Sequence, residues 1–176
     1  MRKTGFPVPN LCIGIAGPSC SGKTTLTGRL SEILGAKAFS LDDYYIRGSK
    51  RQYGTCERPE NYDGAQLSED IARFAAGEPG RPIIVEGFLL FLYLCLSFSH
   101  RFFIDVPEHI AVARRRARMN TPMGKPSSIE EAWLQTGLAE WRQYGAGQAN
   151  LPGVVHLPYE GDSQLPECLS AIGWRA

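Results

Sequence analysis

The chain has no pronounced charge of either sign: 19 Lys and Arg stand against 18 Asp and Glu over 176 residues, a formal net charge of +1. Without a global basic field, neither nucleic acid nor an anionic membrane is an expected partner, and any cationic function has to come from a local cluster. Cysteine is sparse. The five, at positions 12, 20, 56, 95 and 168, are odd in number, scattered, and form no Cys-x-x-Cys pair. That argues against a disulfide framework and a zinc site, and for a reducing cytoplasm. Long hydrophobic runs are missing too. The most apolar stretch, residues 88–98, lies between Glu86-Gly87 and His100-Arg101, and it is too short to span a bilayer. It is expected to be core, or a surface covered by a partner subunit. Residues 1–10 lack the apolar centre of a signal peptide and read as a short N-terminal extension. With no internal repeat and no low-complexity linker, residues 1–176 are expected to form a single domain, large enough to bury a core unaided.

What is present is concentrated near the start. Residues 17–24, Gly-Pro-Ser-Cys-Ser-Gly-Lys-Thr, fit the phosphate-loop pattern GxxxxGK[ST]. The flanks supply the context that the pattern needs. Residues 11–16 read as a short buried strand, and residues 25–34 place apolar side chains at 26, 30, 33 and 34, a helical spacing. Gly17 and Gly22 let the backbone curl so that successive N–H groups point at phosphate oxygens. The N-terminus of the following helix adds partial positive charge at the same point. Nucleotide contacts are therefore expected from Gly17, Ser19, Cys20, Ser21, Gly22, Lys23, Thr24 and Thr25. Lys23 would reach the β- and γ-phosphates of ATP, and the Thr24 hydroxyl would ligate Mg²⁺.

Along the chain, strands are expected at 36–41, 82–87, 101–106 and 153–157, and helices at 66–76, 107–118, 129–143 and 163–172. Residues 46–64 read as a loop, and 120–128 as a Gly/Pro-rich connector. Strands alternating with helices predict an α/β fold: a three-layer αβα phosphate-loop NTPase with a five-stranded parallel sheet and right-handed crossovers, with a helical lid at about 114–128. Ligands in such folds gather at the carboxyl ends of the strands. Asp42 closes the second strand, Glu86 the third, and Asp105 lies at the end of the fourth.

Phosphoryl transfer needs positioning and charge neutralisation more than covalent help. A carboxylate ending an apolar strand is expected beside Thr24 and Mg²⁺, directly or through water. Glu86 and Asp105 compete; Glu86 is favoured because Gly87 permits close approach, and Asp105 is expected to cap the helix that begins near Pro107. Asp42, at a strand tip, is placed to orient an acceptor hydroxyl and accept its proton; its bland alternative is a turn or cap. Arg114, Arg115, Arg116 and Arg118 crowd one short helix, an arrangement that an anion would relieve. Arg114 and Arg118 lie one turn apart on one face and would meet phosphates from a closing lid.

Five segments appear in a familiar order: Gly-Pro-Ser-Cys-Ser-Gly-Lys-Thr-Thr-Leu, Leu-Asp-Asp-Tyr-Tyr, Pro-Glu-Asn-Tyr-Asp, Val-Glu-Gly-Phe-Leu-Leu-Phe and Ala-Arg-Arg-Arg-Ala-Arg. Over about residues 11–160 the chain resembles the uridine kinase and nicotinamide riboside kinase group of phosphate-loop kinases. The resemblance implies that Asp42 is the base for a ribose 5′-hydroxyl, that Glu86 sits by Mg²⁺, and that Asp63 receives the ribose 2′- and 3′-hydroxyls. It implies that Tyr45 and Tyr62 flank the base or pyridinium ring, a sandwich suited to a cationic ring. Counted from Pro107, Arg115 falls where the family contacts substrate, and Arg114 and Arg118 on lid positions facing the phosphates. Lys23, Asp42 and Arg115 would carry catalysis. The connector at 120–126 departs from the lids of both branches. A cytoplasmic monomer or homodimer acting on a small nucleoside-like molecule is expected. A kinase of another small alcohol, pantothenate- or sugar-like, remains open, as does a nucleotide hydrolase or a nucleotide-binding protein. Against a switch or transporter ATPase, the chain has neither an Asn-Lys-x-Asp nor a Leu-Ser-Gly-Gly-Gln motif.

Overall fold

The computed structural model describes residues 11–46, 58–94, 96–119, 136–159 and 164–175. Five strands, β1 (Cys12–Ala16), β2 (Lys37–Ser40), β3 (Ile83–Gly87), β4 (His100–Asp105) and β5 (Val154–Pro158), form one parallel sheet in the order β2-β3-β1-β4-β5. The parallel α/β expectation is met. β1 and β3 are buried along their whole length, as central strands covered on both faces must be, while β2 and β5 are the more exposed edges.

Strand side chains alternate between faces, and this chain uses the alternation to build two cores. Ile13, Ile15, Ile84, Phe102 and Ile104 join α1 (Lys23–Leu34) and the closing helix (Gln164–Ala171) on one side. Cys12, Ala16, Ile83, Val85 and Phe103 join Leu67 and Ile71 of α2 (Gly64–Gly77) on the other. Among the described residues each core holds one buried thiol, Cys12 and Cys168, and burial pushes both up to about 12. Both are therefore neutral, unreactive packing groups at physiological pH.

The apolar stretch after β3 is core in its first half. Phe88, Leu89 and Leu90 are buried with the second cluster, whereas Leu92 and Tyr93 face outward. The arginine-rich helix, α3, runs over Glu108–Met119. The connector at 120–128, most of the proposed lid, and the first part of the helix expected at 129–143 lie outside the described residues. From residue 138 onward the chain is helical, but it continues past 143: Leu138–Glu140 passes into a wide π turn at Trp141–Gly145 and a tight 3₁₀ segment at Ala146–Asn150. Two contacts carry it through the glycines at 145 and 147. Trp141 is buried and stacks on Phe103 at 6.3 Å, and the fully buried Gln148 donates from Nε2 to the carbonyls of Gly145 (3.0 Å) and Phe88. Among the described residues, no helix is long and apolar enough to cross a membrane.

Candidate active site

β1 lies between β3 and β4, with its successor β2 beyond β3, so the loop leaving its carboxyl end opens at the switch point of the sheet. That loop is residues 17–22. Gly17 (φ +152°) and Gly22 (φ +99°) adopt left-handed backbone, and Cys20 does so as well (φ 64°), the lone non-glycine doing so among the described residues. A Cβ on Gly17 would stand 2.9 Å from the Ile104 carbonyl, so the loop is packed directly on β4. Lys23, nearly buried, folds back and donates from Nζ to the carbonyls of Gly17 (3.1 Å) and Pro18 (2.8 Å). The ammonium group is thus held inside the curl of the loop.

Next to it, β3 delivers Glu86, which is 5% exposed. Register explains its neighbours: Ser40 of β2 lies opposite Glu86, and Ile15 of β1 lies on the other side. Ser40 Oγ donates to Glu86 Oε1 at 2.7 Å, and Thr24 Oγ1 donates to the same oxygen at 3.2 Å. A carboxylate and a phosphate-loop hydroxyl therefore converge, an oxygen donor set of the kind a magnesium ion takes. Among the described residues, no group of three or more His, Cys, Asp or Glu side chains comes together; magnesium needs no such cluster. Asp105 does not take part. It is exposed, and its carboxylate faces His156 Nδ1 at 3.4 Å.

Gly87 also makes room for Leu41: a Cβ at Gly87 would lie 2.6 Å from Leu41 Cβ. Leu41 opens the 3₁₀ turn Leu41–Tyr44, which presents Asp42. Ser40 accepts from the Asp42 N–H at 3.4 Å as the cap of that turn. Tyr44, two residues on, donates to Asp70 Oδ2 at 3.0 Å, anchoring the turn on α2. Burial, followed by the Asp70 carboxylate, pushes the Tyr44 phenol up to about 12.

One cavity of about 570 Å³ is lined by residues 19–25, Asp42, Tyr45, Glu86, Phe88, Arg114, Arg115 and Arg118. Arg115 is buried and donates from Nη1 to Ser19 Oγ at 2.7 Å. Arg114 reaches the Cys20 carbonyl at 3.3 Å and lies over the Tyr159 ring. The structure thus brings together the loop, Asp42, Tyr45, Glu86 and the three arginines.

It does not bring Tyr62 and Asp63 to the same cavity. Asp63 is the N-cap of α2 and accepts from the Gln66 N–H at 2.9 Å, the local task of an Asp ahead of a helix. Tyr45 and Tyr62 form no sandwich. An antiparallel bridge pairs their backbones, and their rings meet edge to face at 5.6 Å and 71°, leaving no slot between them. Tyr62 also meets Phe88 edge to face at 5.1 Å. Beyond Tyr62 lies a second cavity of about 350 Å³, with Leu41, Leu89, Leu94, Tyr93 and Tyr144 in its wall. Tyr62 lines the second cavity and its ring touches Tyr45 and Phe88, which line the first. Sequence reasoning missed Ser40 and Phe88. Ser40 carried a signal, a Ser directly before Leu-Asp-Asp at a strand end; Phe88 was hidden inside an apolar run.

Comparisons with known proteins agree with this architecture. A gluconokinase from Sinorhizobium meliloti superposes with a TM-score of 0.56 at 19% identity, over 96% of this chain and 93% of its own. A sugar kinase from a Janibacter species superposes with a TM-score of 0.62 at 21% identity, over 95% of each chain. At such identities the likeness concerns the fold. Residues 13–135 match the AAA_18 family model, an AAA domain, and that match spans the phosphate loop, Asp42, Glu86 and the arginine helix. The chain belongs to the AAA_18 family and has the fold of a phosphate-loop kinase.

Proposed function

We propose that the protein is an ATP-dependent phosphotransferase that moves the γ-phosphoryl group to the 5′-hydroxyl of a ribonucleoside such as uridine or nicotinamide riboside. One observation carries the reading: Asp42 shares the cavity of Lys23, Thr24, Glu86 and three arginines. A carboxylate facing the cationic groups can serve water or an alcohol, and a transferase also needs an acceptor surface beside it, here offered by Tyr45 and Phe88. Asp42 orients the acceptor hydroxyl and takes its proton as the new O–P bond forms. Lys23, Arg114, Arg115 and Arg118 meet the charge on the transferring group. Thr24 and Glu86 would hold magnesium, which supplies charge neutralisation at the phosphate oxygens.

A ring-bearing acceptor is supported by the surface next to Asp42. Tyr45 and Phe88 line the first cavity, and behind Tyr62 the second cavity is walled mainly by Leu and Tyr. A nucleoside has a flat ring to lay on such a surface; an open-chain polyol does not. The sugar-like acceptor is the second reading, favoured by the gluconokinase and sugar kinase that share the fold.

The experiment is a panel of uridine, cytidine, nicotinamide riboside, pantothenate and gluconate, each with Mg·ATP and read by ADP release. Turnover with a nucleoside and none with gluconate is expected; the reverse moves the assignment to the second reading. ADP release without any acceptor would make the protein a hydrolase. Asp42→Asn should abolish transfer and leave ATP binding intact, and equal loss of both would remove Asp42 from its role.

A further inference from the structure

One ion pair joins the two halves of the second cavity's wall. Arg58 Nε donates to Glu140 Oε1 at 2.5 Å across a sequence separation of 82 residues. Arg58 directly precedes the turn Pro59–Asn61, whose Pro59 and Glu60 line that cavity. Glu140 lies four residues before Tyr144, which lines the same cavity. The Arg58 guanidinium also sits over the Tyr144 ring, 5.9 Å from its centroid. A single side chain therefore adjoins one wall by covalent linkage and grips the other by charge and by its planar face.

The segment that carries Glu140 is held from its other side as well. Arg142 forks onto Glu108 of α3, with Nε to Oε2 at 2.7 Å, and Trp141 between them is stacked on Phe103. The two pairs differ in environment. Arg142 and Glu108 are both exposed, a setting in which water and salt screen the attraction. The Glu140 side chain is only 12% exposed, and its Oε2 is enclosed without a hydrogen bond from any described residue. Removing Arg58 would leave a largely buried carboxylate uncompensated, so the wall would have to open toward water.

We propose that Arg58 and Glu140 are positioning residues for the acceptor: the pair closes the second cavity around the acceptor's ring and holds Tyr144 against it. The inference rests on the phosphotransferase reading above. It assigns these residues no contact with the phosphates, so they affect acceptor binding and leave the nucleotide side alone.

A charge-swap cycle tests this. Arg58→Glu, Glu140→Arg and the double variant are compared with the wild-type chain by calorimetry. The probes are uridine and nicotinamide riboside in the presence of a non-hydrolysable ATP analogue, and the analogue alone. Each single variant should weaken probe binding about tenfold, with analogue binding within about twofold of wild type, and the double variant should recover most of the loss. The recovery is the readout that a merely structural role would not give on the acceptor side alone. Unchanged probe binding in the single variants, a parallel fall in analogue affinity, or no recovery in the double variant would each overturn the latch. If the wild-type chain binds neither probe, the nucleoside reading fails, and the latch's role in it falls too.

Discussion

The phosphate-loop side of the cavity and its Asp42 side are made of different materials. On the loop side the shape is set by the curled backbone of residues 17–22, with a lysine held by two of its carbonyls. That shape follows from three left-handed residues and from direct packing on β4. On the other side the groups are the side chains of Asp42, Tyr45 and Phe88, with the 3₁₀ turn Leu41–Tyr44 that presents Asp42 tied down by Ser40 and by Tyr44–Asp70. Backbone geometry tolerates few sequences but needs few partners. A surface of side chains can be re-lined without touching the sheet. The first half therefore suits a constant donor, and the second a variable acceptor.

The largest expected effect strikes the first half. Lys23→Ala removes the one ammonium held inside the loop, and triphosphate affinity and turnover should both fall by roughly 10²- to 10³-fold, whatever acceptor is supplied. Calorimetry with an ATP analogue and initial rates check it together. A drop confined to one acceptor would dissolve the division between the halves.

Gly87→Ala should strike the second half from beneath. Its new Cβ would meet Leu41 Cβ at 2.6 Å, both groups belong to the core, and neither is a flexible chain end. Relief requires the turn to shift, and Asp42 is the next residue along. A stability loss of about 1–3 kcal/mol is expected from overpacking, together with a fall in kcat of about tenfold or more from misplacement of the base. ATP-analogue affinity should stay near wild type. A loss of nucleotide affinity as large as the loss of kcat would show that β3 serves both halves equally.

The same division governs what could be read from the chain. The succession of strands and helices and the phosphate loop were legible. The β-branched run ahead of Glu86 pointed to a strand covered on both faces, and Gly17, Gly22, Lys23 and Thr24 located the loop without any tertiary information. Glu86 was placed by its position at the end of a β-branched run. The aromatic side was not legible in the same way. That Tyr45 and Tyr62 lie near each other follows from the motifs; that their rings meet edge to face follows from a backbone bridge between segments 17 residues apart. Asp63 was read as a ribose partner by resemblance, and its place as N-cap of α2, accepting from the Gln66 N–H, went unread. Gln148 and the pairing of Arg58 with Glu140 join residues 57–82 positions apart, and no local pattern encodes such contacts.

The smallest effect tests the seam between the halves. The Ser40 side chain touches both: its hydroxyl donates to Glu86 of the proposed metal side and accepts from the Asp42 N–H of the proposed acceptor side. Ser40→Ala removes both bonds and leaves the strand intact, since β2 is an edge strand and Ser40 is only half-buried. A stability cost of about 1 kcal/mol is expected, the ordinary worth of a hydrogen bond and cap together. Glu86 keeps Thr24 as its other donor, so its carboxylate stays in place with more rotational freedom. The magnesium concentration for half-maximal turnover should therefore rise only a few-fold, on the order of the same 1 kcal/mol. ATP-analogue affinity measured without metal should not change. A rise in the acceptor's KM with no change in the magnesium requirement would mean that Ser40 acts through Asp42 alone, and that Glu86 belongs wholly to the loop side.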